Sequence, residues 1–146
     1  TISLRHCHLL PMKHIEHIGI AVRSLEESIP LYEKLLNTPC YKIETVESEG
    51  VRTAFFQNGN NKIELLESTD PQGPVAAFIE KKGEGIHHIA YAVTDIHAEM
   101  ERMKKEGFRL LQDSPKAGAD QKWICFIHPK STHGVLLELC MDRTDL

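Results

Sequence analysis

One segment of this chain occurs twice, and that recurrence limits the folds open to it. "HIGIAVRSLEESIPLYEKLLN" starts at His17, and "HIAYAVTDIHAEMERMKKEGF" starts at His88, 71 residues later. Both copies open on His-Ile and reach a Val at the sixth place, Val22 and Val93, then enter a helical pattern. In the first copy Ser24 suits a helix N-cap with Glu27 as its capping-box partner. Leu25, Ile29, Tyr32, Leu35 and Leu36 follow at helical spacing, with a bend expected at Pro30. In the second copy Asp95 takes the cap position. Ile96, Met100 and Met103 form the apolar stripe, and Gly107 closes the helix.

The later parts of the two copies match as well. "RTAFFQNGNNKIELLE" (52–67) reads as strand, Gly/Asn turn and strand, and "WICFIHPKSTHGVLLELC" (123–140) has the same layout with a longer turn. Middle strands are predicted near 41–46 and 108–112. Each half is then β-α-β-β-β. The class is α+β: two tandem βαβββ modules forming a curved mixed sheet around a cleft. Module one is predicted at 13–68, the linker at 69–85 with a short helix in "VAAFIEKK", and module two at 86–141, within one domain over 12–146. Residues 1–11 look unlike the rest and read as a disordered upstream extension. The "HCH" at 6–8 offers metal donors, but the tail reading is preferred there.

Composition narrows the function classes. Of 146 residues, 41% are hydrophobic and 26% charged, ordinary for a globular domain. A net charge of −4 gives no electrostatic case for nucleic acid. No apolar run approaches the roughly 20 residues of a membrane span. Cys7, Cys40, Cys125 and Cys140 are scattered without a CxxC pair, which predicts reduced thiols and a cytoplasmic protein.

The repeat brings out His17, Glu64, His88 and Glu138, one histidine and one glutamate from each half. Strand alternation puts His17 with Gly19 and Ala21, and His88 with Ala90 and Ala92, on a face of small residues that leaves room for a ligand. By the same rule His87 should face away from the cleft. Glu64 and Glu138 each interrupt an apolar run, which is costly unless the carboxylate is paired or binds a metal. Any one of the four, taken alone, reads best as a solvated or hydrogen-bonded residue. Together and in register they read as a site for a divalent first-row metal. His14, His97, His128 and His133 have no such partners and are expected at the surface or behind the ligands.

The stretches "HIGIAVRSLEESIPLYEKLL", "KIELLES", "KGEGIHHIAYAV" and "FIHPKSTHGVLLEL" resemble the vicinal oxygen chelate superfamily, and within it the methylmalonyl-CoA epimerases. The resemblance runs from Lys13 to about Met141. It implies metal ligands at His17, Glu64, His88 and Glu138, a divalent ion (Co2+ first, with Zn2+, Ni2+ or Mn2+ also possible), a CoA thioester substrate and a homodimer. The implied reaction interconverts (2R)- and (2S)-methylmalonyl-CoA by removing and returning the C2 proton. Glu64 and Glu138 are the preferred proton-transfer groups. Some members carry a glutamate base just after a Gly-Val pair, where this chain has Thr53. Glu47 or Glu49 could be recruited instead. The alternative function is a glyoxalase I-like lactoylglutathione lyase. An extradiol dioxygenase would leave Glu64 surplus, and a metal-free sequestering module would not fill all four ligand positions.

Overall fold

The computed structural model describes residues 12–145. The predicted extension and its "HCH" lie outside them. Strand β1 (His14–Ala21) leads to helix α1 (Leu25–Leu36), then β2 (Lys42–Val46), β3 (Val51–Asn58) and β4 (Asn61–Ser68). Helix α2 (Pro74–Lys82) connects to the second copy: β5 (Gly85–Ala92), α3 (Ile96–Lys105), β6 (Lys116–Gly118), β7 (Lys122–Ile127) and β8 (Leu137–Asp142). The βαβββ repeat is therefore present, and α2 occupies the "VAAFIEKK" segment.

Local chemistry accounts for the helix ends. The Ser24 hydroxyl accepts from the Glu27 N–H, and the Asp95 carboxylate accepts from the Ala98 N–H. Helix α1 runs through Pro30 and ends on Asn37 in the left-handed region. Helix α3 ends in a Schellman turn around Gly107 (φ 92°): the Phe108 N–H reaches the Met103 carbonyl and the Gly107 N–H that of Lys104. Phe108 and Met103 then pack in the same cluster. Leu35, counted above in the apolar stripe of α1, instead points to solvent.

All eight strands form one sheet in the order β2-β3-β4-β1-β5-β8-β7-β6. Strands β1 and β5 run antiparallel at its centre, and each has the last strand of its own half parallel on its other side. Helices α1 and α3 cover clusters around Leu65 and Leu139 respectively. The sheet is nearly closed. Asp120, in the turn after β6, bonds Lys42 of β2 at 2.6 Å, and its N–H donates to the Glu44 carboxylate at 2.9 Å.

The second middle strand departs from expectation. Residues 108–112 contribute only a single bridge, Leu110 to Ile127, and the strand forms at 116–118. The intervening "QDSP" carries turn-forming residues and a proline, which shift pairing further along the chain.

Candidate active site

The register of the four central strands explains how the site assembles. His17 lies opposite Ala90, Ile18 opposite Ile89, and Gly19 opposite His88. Exchanging the two halves leaves this pairing unchanged, so the local pseudo-twofold passes through the Ile18–Ile89 pair. Glu64 of β4 flanks Gly19, and Glu138 of β8 flanks Ala90. Two rows result: Glu64–Gly19–His88 and His17–Ala90–Glu138. In each row a small residue separates a carboxylate from an imidazole, so the long side chains lean over it. Gly19 has no spare room, because a Cβ there would sit 2.3 Å from the His88 ring.

His17, His88, Glu64 and Glu138 are each no more than 5% exposed. The Nε2 atoms of His17 and His88 face one another at 3.0 Å, and Glu138 reaches them at 3.4 and 3.7 Å. These three residues bring one donor atom each within 4.8 Å of one another. Glu64 stands slightly apart, with its Oε2 3.2 Å from the other nitrogen of His17, Nδ1.

The electrostatics are those of a buried, acidic pocket. Burial pushes Glu64 up to about 7 and Glu138 up to about 8. For His17 burial opposes the charged form, but Glu64, Glu16 and Glu138 outweigh it and raise the imidazole to about 9. His88, lacking such compensation, is held neutral by burial and by His17. Glu138 Oε2 is buried without a hydrogen-bond partner. A buried orphan oxygen beside two converging imidazole nitrogens fits a divalent first-row cation, which prefers this nitrogen and oxygen donor set.

The four residues border a cavity of about 210 Å³ with mostly apolar walls, including Val46, Leu66, Val75, Ile124 and Phe126. It suits a small acyl group and leaves anything larger to extend outside. His87 also borders this cavity, contrary to the alternation argument. The pairing steps from Gly19–His88 to Ile20–Ile86, so His87 is the extra residue of a β-bulge. A bulge interrupts alternation and turns the side chain back to the cleft face.

Thr53 is fully buried in the cavity wall, and its hydroxyl has no hydrogen-bond partner. Glu49 lines the same wall and pairs with Lys116 at 2.9 Å; Glu47 is not part of it. His128 accepts from the Lys130 N–H at 3.0 Å and shapes the turn before β8, while His14, His97 and His133 are exposed. Sequence reasoning overlooked Glu16. It is the extra residue of a second bulge, between Ile15 and His17, and its carboxylate contacts His17 Nδ1. The available signal was a polar residue just before each repeat histidine.

Residues 16–126 match the Glyoxalase/Bleomycin resistance protein/Dioxygenase superfamily, and the chain belongs to that superfamily. Within it, the chain is 39% identical to the ethylmalonyl-CoA/methylmalonyl-CoA epimerase of Cereibacter sphaeroides, over 86% of this chain and 95% of the relative. An uncharacterized Bacillus subtilis protein is 40% identical over 92% of this chain and 96% of its own length. The structure of a Streptomyces coelicolor methylmalonyl-CoA epimerase variant in complex with 2-nitronate-propionyl-CoA superposes with a TM-score of 0.86. It is 34% identical, over 90% of this chain and 99% of that one.

Proposed function

We propose that this protein is a methylmalonyl-CoA epimerase that interconverts the (2R) and (2S) epimers at C2. The observation that carries the reading is the pseudo-symmetric set of two histidines and two glutamates, all buried, that line a small, mostly apolar cavity. The named relatives favour it over a lyase acting on a glutathione hemithioacetal.

His17, His88 and Glu138 would hold a divalent ion, with Glu64 as the fourth donor; cobalt is the first choice, then zinc, nickel or manganese. When bound, the ion supplies Lewis acidity for the negative charge that builds on the thioester oxygen. The cavity walls exclude water from the acyl group and hold its methyl. Inversion at C2 needs proton removal on one face and return on the other. Glu64 and Glu138 come from opposite halves of the pseudo-twofold pair, which supports assigning one transfer to each. In the metal-free protein burial raises both carboxyls, to about 7 and about 8. Glu49, on the same wall, is the alternative second group. The free thiols Cys40, Cys125 and Cys140 support a reducing, cytoplasmic setting. Homodimer formation follows from the family resemblance, and sedimentation tests it.

The test is hydrogen exchange at C2 of methylmalonyl-CoA in deuterated water, with metal-loaded and EDTA-treated protein. Metal-dependent exchange with the thioester intact is the expected result. A metal-loaded protein that exchanges nothing overturns the function. Glu64→Gln, Glu138→Gln and Glu49→Gln, each assayed from one epimer at a time, identify the two groups: a variant missing one base retains exchange without inversion.

A further inference from the structure

The two β-bulges of the central strands fall at pseudo-equivalent positions. Glu16 precedes His17 by one residue, and His87 precedes His88 by one. Each bulge turns the preceding side chain toward the same ring of its own half. The Glu16 carboxylate contacts Nδ1 of His17, and Nδ1 of His87 lies 3.0 Å from Nδ1 of His88. Both contacts therefore involve the ring nitrogen opposite the one that faces the cleft.

We propose that Glu16 and His87 are positioning residues that fix the ring orientation and tautomer of His17 and His88, so that both Nε2 lone pairs converge on one point. The inference rests on reading those two histidines as metal ligands. A ring that offers its Nε2 lone pair to a cation carries its proton on Nδ1, and that proton needs an acceptor. Glu16 accepts it from His17, and the Nδ1 lone pair of His87 accepts it from His88, leaving the His87 proton on Nε2. Both acceptors are themselves held. Lys62 Nζ bonds the other oxygen of Glu16 at 2.7 Å. The His87 ring stands edge-on to Phe78 of α2, with centroids 5.1 Å apart. Glu64 Oε2 also lies near His17 Nδ1, at 3.2 Å, and is the longer of the two carboxylate contacts there.

The two acceptors differ in charge, and this makes the two ligands unequal. A carboxylate acceptor gives a charge-assisted bond and a more electron-rich ring. A neutral imidazole acceptor orients His88 without adding charge. His17 is thus the stronger donor and Glu16 the more sensitive position.

The experiment measures Zn2+ and Co2+ affinity by chelator competition, together with the visible absorption of the Co2+ form and the melting curve of the metal-free form. Glu16→Leu should weaken binding about 10- to 100-fold, the range typical when a ligand histidine loses its partner. Glu16→Gln, which keeps an acceptor without the charge, should fall between it and wild type. His87→Phe should cost about tenfold and His87→Gln less, with altered Co2+ bands in both Glu16→Leu and His87→Phe. If Glu16→Leu does not fold, Glu16→Gln decides. Wild-type affinity and spectra in the folded Glu16 and His87 variants, with His88→Ala weakened, overturn this inference alone. No binding by wild type, or full binding by His88→Ala, overturns the metal reading and this inference with it.

Discussion

The two halves of the sheet use the same geometry with different chemistry. At the pseudo-twofold, Gly19 in the first half corresponds to Ala90 in the second, and Glu16 corresponds to His87. The first half has the smaller spacer and the charged bulge residue; the second has a methyl group and a neutral ring. The strand scaffold thus places two histidines and two glutamates at pseudo-equivalent register positions, while the residues between and behind them differ. Duplicated geometry does not require duplicated electrostatics: His17 is held up at about 9 and His88 is held neutral.

Exchanging the two spacer residues should separate the halves most strongly. In Gly19→Ala the new Cβ meets the His88 ring and displaces its Nε2. Epimerase activity should fall about 100-fold or more, since displacements near 1 Å have that cost in preorganised sites. Ala90→Gly should leave activity within a few-fold and lower stability by about 0.5–1 kcal/mol, as a glycine in a strand does. Equal effects from the two would contradict the asymmetric packing.

Next is the pH dependence of the metal-free protein. His17 is raised from 6.5 to about 9 on folding, so its stabilisation is complete below about 6.5 and lost as pH rises through 9. Glu64 and Glu138 rise from 4.5 to about 7 and about 8, so the folded state also loses stability as each ionises across that window. Glu16 works in the opposite sense, since it is depressed to about 2, but its window lies below 4.5. His88, held neutral by burial, and His87, lowered to about 4, gain stability as pH rises to about 6.5 and offset the glutamates there, so the melting temperature after EDTA treatment should change little up to about pH 6.5 and fall from there to about pH 9. A saturating divalent ion should reverse the trend by competing with these protons. A flat EDTA curve would show that the cluster is not protonated as described.

Smaller effects come from the sheet edges, where the halves meet a second time. Asp120→Asn keeps a residue that tolerates its left-handed backbone (φ 58°) while removing the charge that joins Lys42 to Lys62. It should cost about 1 kcal/mol, reduced by partial solvent exposure, with urea midpoints as the measure. Smallest of all, Leu35→Ser on the exposed side of α1 should change stability by under about 0.5 kcal/mol.

Much of this was legible in the chain. The His-Ile…Val repeat, the caps Ser24 and Asp95, and the Gly/Asn turn between β3 and β4 are local signals, and local sterics and hydrogen bonding carry them out wherever the segment sits. The four polar residues were also readable, because a histidine or glutamate in register in both copies is improbable as packing. Three features were not legible. The strand expected at 108–112 moved to 116–118, since the pairing of a short edge strand is decided by its neighbour. Glu16 and His87 were missed or turned the wrong way, because a bulge is a property of two paired strands and leaves no period in either one. The closeness of Glu64 to Nδ1 rather than Nε2 of His17 was equally hidden, as ring orientation depends on what lies behind the ring.

By itself, the sequence determined the repeat, the element types and the inventory of donors, because these follow from side-chain chemistry and short-range periodicity. The tertiary structure alone decided which nitrogens meet and which small residue makes room for which ring. It also set which side chains the bulges return to the cleft, since those outcomes depend on strand register and on contacts between residues far apart in the chain, such as His17 and His88, 71 positions apart.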